Sequence, residues 1–205
     1  MGNKNNSSWS LRAWLVLKMG GLQFEEDVVH LGMPETAEEI ARRSPTGLVP
    51  VLYDGDLRVW DSLAICEYVN ERYLGGRFWP EDVQARAVAR SCSAEMHSGF
   101  ASLRHTLPFV CRTVYPPSEH LPEVEADIRR IVEIWTGCRA RHGQGGPFLF
   151  GRFSIADAMF APVMFRCRIY SIPLSGEAAA YAGALWELPA IQQWHREALA
   201  EQRDF

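Results

Sequence analysis

In the first third of the chain, the spacing of the apolar residues changes from one predicted element to the next. Leu11, Trp14 and Leu15 recur at helical steps, and Gly20-Gly21 ends that helix. Residues 24–31 are predicted to form a short strand. The pattern therefore predicts a helix followed by a strand.

The next segment predicts a small α/β layer. Asp54-Gly55 is a strong hairpin signal between two apolar runs. The predicted elements are a polar helix at Thr36–Arg43, strands at residues 48–53 and Leu57–Trp60, and a helix at residues 62–73 that ends at Gly75-Gly76. A βαβ unit also needs a strand before its first helix, but only the polar residues 1–6 precede Ser7. We expect that strand to be very short, unless the start of the chain is truncated.

After residue 75 the pattern becomes helical throughout. Helices are predicted at residues 81–107, Pro122–His142, 154–170 and 189–201, separated by Pro116-Pro117 and by residues 143–147 and 173–176. No strand pattern recurs. The sequence predicts an α/β domain at residues 1–75 and an all-helical domain at residues 82–205.

One helix start in the second domain carries a capping signal. Ser154 and Asp157 stand three residues apart before an apolar run, which is the spacing of a capping box. The arrangement satisfies free N–H groups at a buried helix start. We therefore expect a structural role for Asp157 and not a catalytic one.

Composition limits the compartment and the partners. The 205 residues are 47% apolar and 22% charged, as in ordinary globular proteins, and the net charge of −4 gives no reason to expect nucleic acid or an anionic membrane. No apolar run approaches the roughly 20 residues that span a bilayer, and the polar start is not a secretory signal. The five scattered cysteines lack zinc-site or dithiol spacing. We expect reduced thiols, a cytoplasmic location and no metal.

Candidate chemistry begins at the start of the first helix. Serines at positions 7, 8 and 10 there are usually caps. A hydroxyl at the positive end of a helix can also hold an anion, and it would lower the pKa of a bound thiol. No histidine is near in sequence, so we expect Ser7 to donate a hydrogen bond and not to act as a nucleophile. Arg12, in the same helix, is expected in an ion pair or at the solvated surface.

Two further segments add contacts for a peptide. Trans is the default for a bond to proline, but Pro50 interrupts an apolar run, which raises the odds of a cis Val49-Pro50 bond. A bend there would leave the Val49 backbone free to pair with an extended ligand. Asp61 and Ser62 begin the next helix, where Ser62 can cap the helix, bind an anion, or do both. The three segments together predict a site for an extended peptide with carboxylate ends.

The long helix of the second domain carries a mixed stripe. Met96, His97, Phe100 and Arg104 follow helical spacing, which is more typical of a core or a subunit contact than of a substrate pocket. The histidines show no metal-ligand spacing. We expect little chemistry from His97 alone.

These motifs resemble those of the cytosolic glutathione S-transferases along nearly the whole chain. The motifs lie at residues 7–12, 48–52, 61–65 and 154–158, and their order is more specific than any one of them. The resemblance implies a thioredoxin-like N-terminal domain that binds glutathione, an all-helical C-terminal domain and, usually, a homodimer. The serine-rich first motif looks most like the bacterial, serine-type and zeta-like members, the maleylacetoacetate isomerase relatives.

The resemblance also implies roles for individual residues. Ser7 would be the catalytic residue that hydrogen-bonds the glutathione sulfur. The glutathione-binding residues would be Ser8, Trp9, Val49, Pro50, Asp61 and Ser62. Two positions depart from the family pattern. Leu48 stands where many members have a polar residue that contacts glutathione, and Trp9 stands where the zeta motif has a cysteine, which weighs against isomerisation.

The function implied by the resemblance is a glutathione transferase that conjugates the glutathione thiolate to a small electrophile. Glutathione would be the co-substrate, with no metal, nucleic acid or membrane involved. The candidate substrate wall comprises Met96, Phe100, Arg104, Phe165 and Arg166. Two alternatives stay open: a glutathione-dependent cis-trans isomerase of a maleylacetoacetate-like diketo acid, and a non-catalytic binding or scaffold protein on the same fold.

Overall fold

The computed structural model describes residues 1–201, so the last four residues of the predicted second domain lie outside it. The elements in chain order are α1 (Ser8–Met19), α2 (Thr36–Arg43), β1 (Val51–Asp54), β2 (Leu57–Trp60), α3 (Ser62–Leu74), α4 (Val83–Ser98), α5 (Ala101–Thr106), α6 (Pro122–His142), α7 (Ile155–Ile169), α8 (Gly176–Trp186) and α9 (Pro189–Ala200). This order confirms the predicted fold class, an α/β layer followed by helices.

The hairpin confirms the turn prediction and shifts one strand. β1 and β2 pair antiparallel, with Val51 opposite Trp60 and Asp54 opposite Leu57. The Val49-Pro50 peptide bond is cis and not the default trans, which agrees with the raised odds of cis at this position. Because proline has no N–H for a ladder, β1 begins after Pro50 and not at the predicted residue 48.

The predicted strand at residues 24–31 is wrong. Val29 makes one isolated parallel bridge to Gly2, through a Val29 N–H bond to Met1 O of 2.8 Å and an Asn3 N–H bond to Val29 O of 3.0 Å. A strand forms only where a neighbouring segment offers backbone groups for a ladder of hydrogen bonds. Here that segment is only three residues long, residues 1–3. This bridge also corresponds to the very short first strand that we expected before α1.

The helical half differs from the prediction in two places. The predicted helix at residues 81–107 is broken into α4 and α5, because Phe100 adopts a left-handed backbone with φ of 56°. Helix α8 was not predicted, since its alanines and glycines give no marked apolar stripe. The predictions for α6, α7 and α9 are confirmed within one residue, and the Ser154–Asp157 capping box is present.

One hydrophobic core joins the two halves of the molecule. Helix α1 packs against α3 on one side and against α7 and α9 on another. Trp14 of α1 meets Trp194 of α9 with ring centroids 5.2 Å apart. The start of α1 is therefore held in place by both halves. Among residues 1–201, no helix has the combination of length and apolarity that crossing a membrane requires.

Candidate functional site

The start of α1 is capped by Ser7. The Ser7 hydroxyl accepts a hydrogen bond from the Ser10 N–H at 3.3 Å and donates to Ser10 Oγ at 2.8 Å. Ser10 Oγ also accepts from the Gly2 N–H at 3.1 Å. Ser7 thus caps α1 as expected. Its hydroxyl hydrogen points at Ser10 Oγ, which also accepts the bond from the Gly2 N–H.

Trp9, His97 and Asp61 connect two helix starts. The Trp9 ring meets the His97 ring edge-on, with centroids 5.2 Å apart. His97 Nε2 lies 2.9 Å from the Asp61 carboxylate. Burial lowers the pKa of His97, while Asp61 raises it. The sequence offered no signal for His97, because its neighbours come from α1 and α3 and are remote along the chain.

The start of α3 is capped by Asp61 and not by Ser62. The Asp61 carboxylate accepts hydrogen bonds from the Leu63 N–H at 2.9 Å and the Ala64 N–H at 3.1 Å. Asp61 has a φ of 73°, an unusual conformation for a residue with a side chain and one that clusters at functional sites. Ser62 is buried, and its hydroxyl has no hydrogen-bond partner within the described residues. Buried hydroxyls are normally satisfied, so Ser62 is a candidate for binding a ligand.

The Val49 backbone is available for pairing. Within residues 1–201, neither its N–H nor its C=O bonds to another backbone group. The adjacent Leu48 is 68% exposed, so this segment lies at the surface. An extended ligand could therefore pair with Val49 as an added strand.

Arg12 contradicts the expectation of an ion pair or a solvated surface. It is 2% exposed, and its Nε donates to Met159 O at 3.2 Å. Its guanidinium lies 4.3 Å from the centre of the Trp9 ring, and Nη1 has no partner within the described part of the chain. Burial, together with the positive charges of Arg166 and Arg104, lowers the pKa of Arg12 to about 9.

The five candidates for the substrate wall divide into two groups. The Arg104 guanidinium lies 5.5 Å from the centre of the Trp9 ring, beside the two helix starts. The other four are at most 8% exposed and pack inside the protein: Met96, Phe100, Phe165 and Arg166. Of the five, Arg104 is thus the residue placed to meet a ligand at Trp9. Residues 1–201 contain no cluster of three or more side chains that could hold a metal ion.

Family models and similar known proteins indicate the family of the chain. The family described as "Glutathione S-transferase, N-terminal domain" matches residues 6–72, and "Glutathione S-transferase, C-terminal domain" matches residues 118–197. A relative from Vibrio cholerae named "Probable maleylacetoacetate isomerase" is 37% identical over 201 residues, covering 91% of this chain and 90% of the relative.

Two solved structures share the fold. A glutathione transferase homologue from Burkholderia, solved with bound glutathione, has a TM-score of 0.71 and 24% identity over 98% of this chain and 96% of its own. Maleyl pyruvate isomerase, described as a bacterial zeta-class glutathione S-transferase, has a TM-score of 0.70 and 21% identity over 99% of this chain and 97% of its own. The motifs, the fold and the full-length relative agree: the chain belongs to the glutathione S-transferase family.

Proposed function

We propose that this protein is a glutathione transferase that joins the glutathione thiolate to a small electrophile. The observation that carries the proposal is the link from Trp9 through His97 to Asp61, which brings the starts of α1 and α3 to one place. Each helix start is a site of partial positive charge, and the first N–H groups that the caps of Ser7 and Asp61 leave unbonded can face a ligand. Two such helix starts, beside the unpaired backbone of Val49, suit a short peptide with anionic groups.

Each part of glutathione has a proposed contact. The γ-glutamyl end lies at the start of α3, where Asp61 and the unpartnered Ser62 hydroxyl hold it. The cysteinyl unit pairs with the backbone of Val49, next to cis Pro50. Ser8 and Trp9 flank the sulfur at the start of α1. The Burkholderia homologue, solved with glutathione bound, supports this choice of ligand.

The sulfur is proposed to meet Ser7. The Ser7 hydrogen rotates from Ser10 Oγ to the sulfur, and Ser10 Oγ keeps its bond from the Gly2 N–H. This hydrogen bond and the positive helix start favour the thiolate and lower the pKa of the thiol toward the working pH. The thiolate then attacks the electrophilic carbon, so that a sulfur–carbon bond forms and the leaving group departs as an anion.

Calorimetry and turnover test the proposal together. We expect glutathione to bind at micromolar to millimolar concentration and a chlorinated nitroaromatic to be conjugated with release of chloride. Ser62→Ala should weaken glutathione binding roughly 10- to 100-fold, since a hydrogen bond to a carboxylate contributes about 1.5–3 kcal/mol. The exposed Ser98, whose hydroxyl bonds to Ala94 O within α4, provides the control variant Ser98→Ala. Failure to detect binding at millimolar glutathione would contradict the proposal and favour a scaffold protein.

A second candidate is the glutathione-dependent isomerase, which one observation favours. Two guanidinium groups, of Arg12 and Arg104, lie within 6 Å of the Trp9 ring, and such groups pair well with a substrate carboxylate. The Vibrio cholerae relative carries an isomerase name. Turnover of a cis diketo acid without loss of glutathione, reduced in Arg104→Gln, would establish isomerisation. Conjugation without such turnover would exclude it.

We also propose a homodimer and a cytoplasmic location. One face of the hairpin exposes two aromatic side chains, Tyr53 and Trp60, each nearly half exposed. An exposed apolar patch of this kind is typical of a contact surface. The five cysteines are buried and unpaired, which fits a reducing compartment.

A further inference from the structure

His97 links the helical half of the molecule to a helix start in the N-terminal layer. It lies in the last turn of α4, and its Nε2 donates to Oδ2 of the Asp61 carboxylate at 2.9 Å. The other carboxylate oxygen, Oδ1, accepts the bonds from the Leu63 and Ala64 N–H groups that cap α3. The two oxygens of Asp61 thus have separate partners, one in each half of the molecule.

The break between α4 and α5 brings two side chains onto the Trp9 ring. Phe100 has a left-handed backbone, so α4 ends two residues before it and α5 begins directly after it. His97 lies before the break and Arg104 after it, and both side chains lie against Trp9. The backbone at residues 98–101 therefore fixes the place of the His97 ring beside the two helix starts.

The surroundings of His97 keep its ring neutral at pH 7. Burial is the main cause that lowers the pKa of His97, and the guanidinium groups of Arg12 and Arg104 lower it further. The Asp61 carboxylate raises it, but the net direction is downward from the ordinary value of 6.5. A neutral imidazole carries one hydrogen, and the carboxylate fixes that hydrogen on Nε2. The contact is therefore a hydrogen bond from a neutral donor.

The backbone of Asp61 depends on restraints of this kind. Its φ of 73° is rare for a residue with a side chain and persists only where the surroundings impose it. The contact of Oδ2 with His97 and the two capping bonds at Oδ1 are such restraints. Ser62 follows directly, so the conformation of Asp61 also sets the direction of the Ser62 hydroxyl, which has no partner within residues 1–201.

We propose that His97 is a positioning residue for the glutathione site. Its neutral Nε2–H group holds Asp61 in the conformation in which the start of α3 receives the γ-glutamyl end. The helical half thereby sets the affinity of the N-terminal layer for its ligand, while the sulfur chemistry at Ser7 does not depend on His97. This role rests on the proposed function, because it concerns the same site.

Calorimetry with S-methylglutathione tests this role, because that ligand keeps the γ-glutamyl end and has no thiol to titrate. His97→Leu removes the donor, and the Kd should rise roughly 5- to 100-fold as the strained Asp61 relaxes. His97→Gln supplies a neutral N–H donor and should keep the Kd within about threefold of the wild-type value. His105→Leu, at an exposed position in α5, is the matched control and should leave the Kd unchanged.

Three further measurements separate positioning from a general loss of structure. In His97→Leu the KM for glutathione should rise, while kcat at saturating glutathione stays within about threefold of the wild-type value. Combined with Ser62→Ala, His97→Leu should weaken binding by less than the product of the two separate effects, since both act at the start of α3. NMR of the imidazole nitrogens should show a neutral His97 ring at pH 7 with its hydrogen on Nε2.

His97→Asn guards against an effect of the apolar leucine side chain or a failure of His97→Leu to fold. Its amide is shorter than that of glutamine and ends short of the position of Nε2, so it should lose affinity while His97→Gln keeps it.

Equal Kd values for the wild type, His97→Leu and His97→Asn would overturn this role and leave the glutathione site standing. It is also overturned if His97→Gln loses as much affinity as His97→Leu, if kcat falls together with the affinity, or if the ring is protonated at pH 7. Absence of S-methylglutathione binding by the wild type at millimolar concentration would contradict the proposed function itself, and this role with it.

Discussion

Ser7 and Ser8 are neighbours with different surroundings. The Ser7 hydroxyl bonds to Ser10, whereas the Ser8 hydroxyl makes no hydrogen bond within the described residues. For Ser7 to serve a thiolate it must give up a neutral hydrogen bond, which costs about 1 kcal/mol. A hydrogen bond to a charged group contributes about 1.5–3 kcal/mol. The exchange is favourable, so the cap and the thiolate donor can be the same residue.

Ser7→Ala therefore separates turnover from binding. We expect kcat for conjugation to fall roughly 10- to 100-fold, the equivalent of the lost charged hydrogen bond, while the Kd for glutathione changes less than about threefold. The pKa of bound glutathione, followed by thiolate absorbance against pH, should rise. Ser98→Ala, outside the proposed site, is the control and should keep normal turnover, whereas Ser8→Ala tests the neighbouring hydroxyl. If Ser7→Ala retained full activity and Ser8→Ala lost it, the sulfur contact would belong to Ser8.

Asp157 makes a pH-dependent contribution to stability. Its buried carboxyl accepts hydrogen bonds from the Leu149 N–H at 3.1 Å, the Ser154 N–H and hydroxyl, each at 2.8 Å, and the Tyr181 hydroxyl at 3.1 Å. Burial outweighs these donors and raises the pKa of Asp157 to about 6. Because this value exceeds the unfolded pKa of about 3.9, the folded chain holds the proton more tightly. The contribution is complete below pH 4 and declines as the pH rises to about 6.

Asp157→Asn removes this titration. We expect the unfolding free energy of the wild type, relative to that of the variant, to fall by about 3 kcal/mol between pH 3 and pH 7, since the pKa differs by about two units. Urea unfolding at a series of pH values measures the difference. Asp56→Asn, at an exposed turn position, should show no such trend. A constant difference between the wild type and Asp157→Asn would contradict the burial argument.

At the scale of elements, one side chain fixes the loop after α6. Arg139 Nη1 donates to the carbonyl oxygens of Gly143 at 3.2 Å, Gly146 at 2.6 Å and Phe148 at 2.9 Å. Lysine keeps the charge but cannot reproduce the guanidinium geometry. We expect Arg139→Lys to lower the unfolding free energy by about 1–3 kcal/mol and to speed hydrogen exchange at residues 143–148. Exposed Arg141→Lys is the control, and equal effects of the two variants would contradict this role.

Element ends that depend on local chemistry were predicted well, and features that depend on remote neighbours were not. The left-handed Gly75 ends α3 within one residue of the prediction, and the Ser154–Asp157 box starts α7. The predicted strand at residues 24–31 failed because strand identity requires a paired neighbour. For the candidate site, the sequence motifs predict Ser7, Val49 and Asp61 as ligand contacts, and these assignments stay predictions. The sequence could not reveal that Arg12 is buried or that His97 bonds to Asp61, since both depend on contacts between separate elements.

At the scale of the whole molecule, burial is uneven between the two faces of the hairpin. Leu52 and Val59 pair across the strands and pack against the core. On the opposite face Tyr53 and Trp60 are 48% and 47% exposed. Large aromatic side chains left at a surface are typical of contact surfaces, where tryptophan often dominates the binding free energy. This outer face of the hairpin is the surface that we expect to meet the second subunit.

Trp60→Glu should therefore convert the proposed homodimer into monomers. A buried interface tryptophan commonly contributes at least about 2 kcal/mol, so we expect the dimer Kd to rise at least about 30-fold. Sedimentation velocity over a range of protein concentrations measures this shift. Val114→Glu, at a 73% exposed position remote from the hairpin in sequence, is the control and should leave the dimer intact. A dimer that resists Trp60→Glu but dissociates in Val114→Glu would place the subunit contact on the helical half, away from the hairpin.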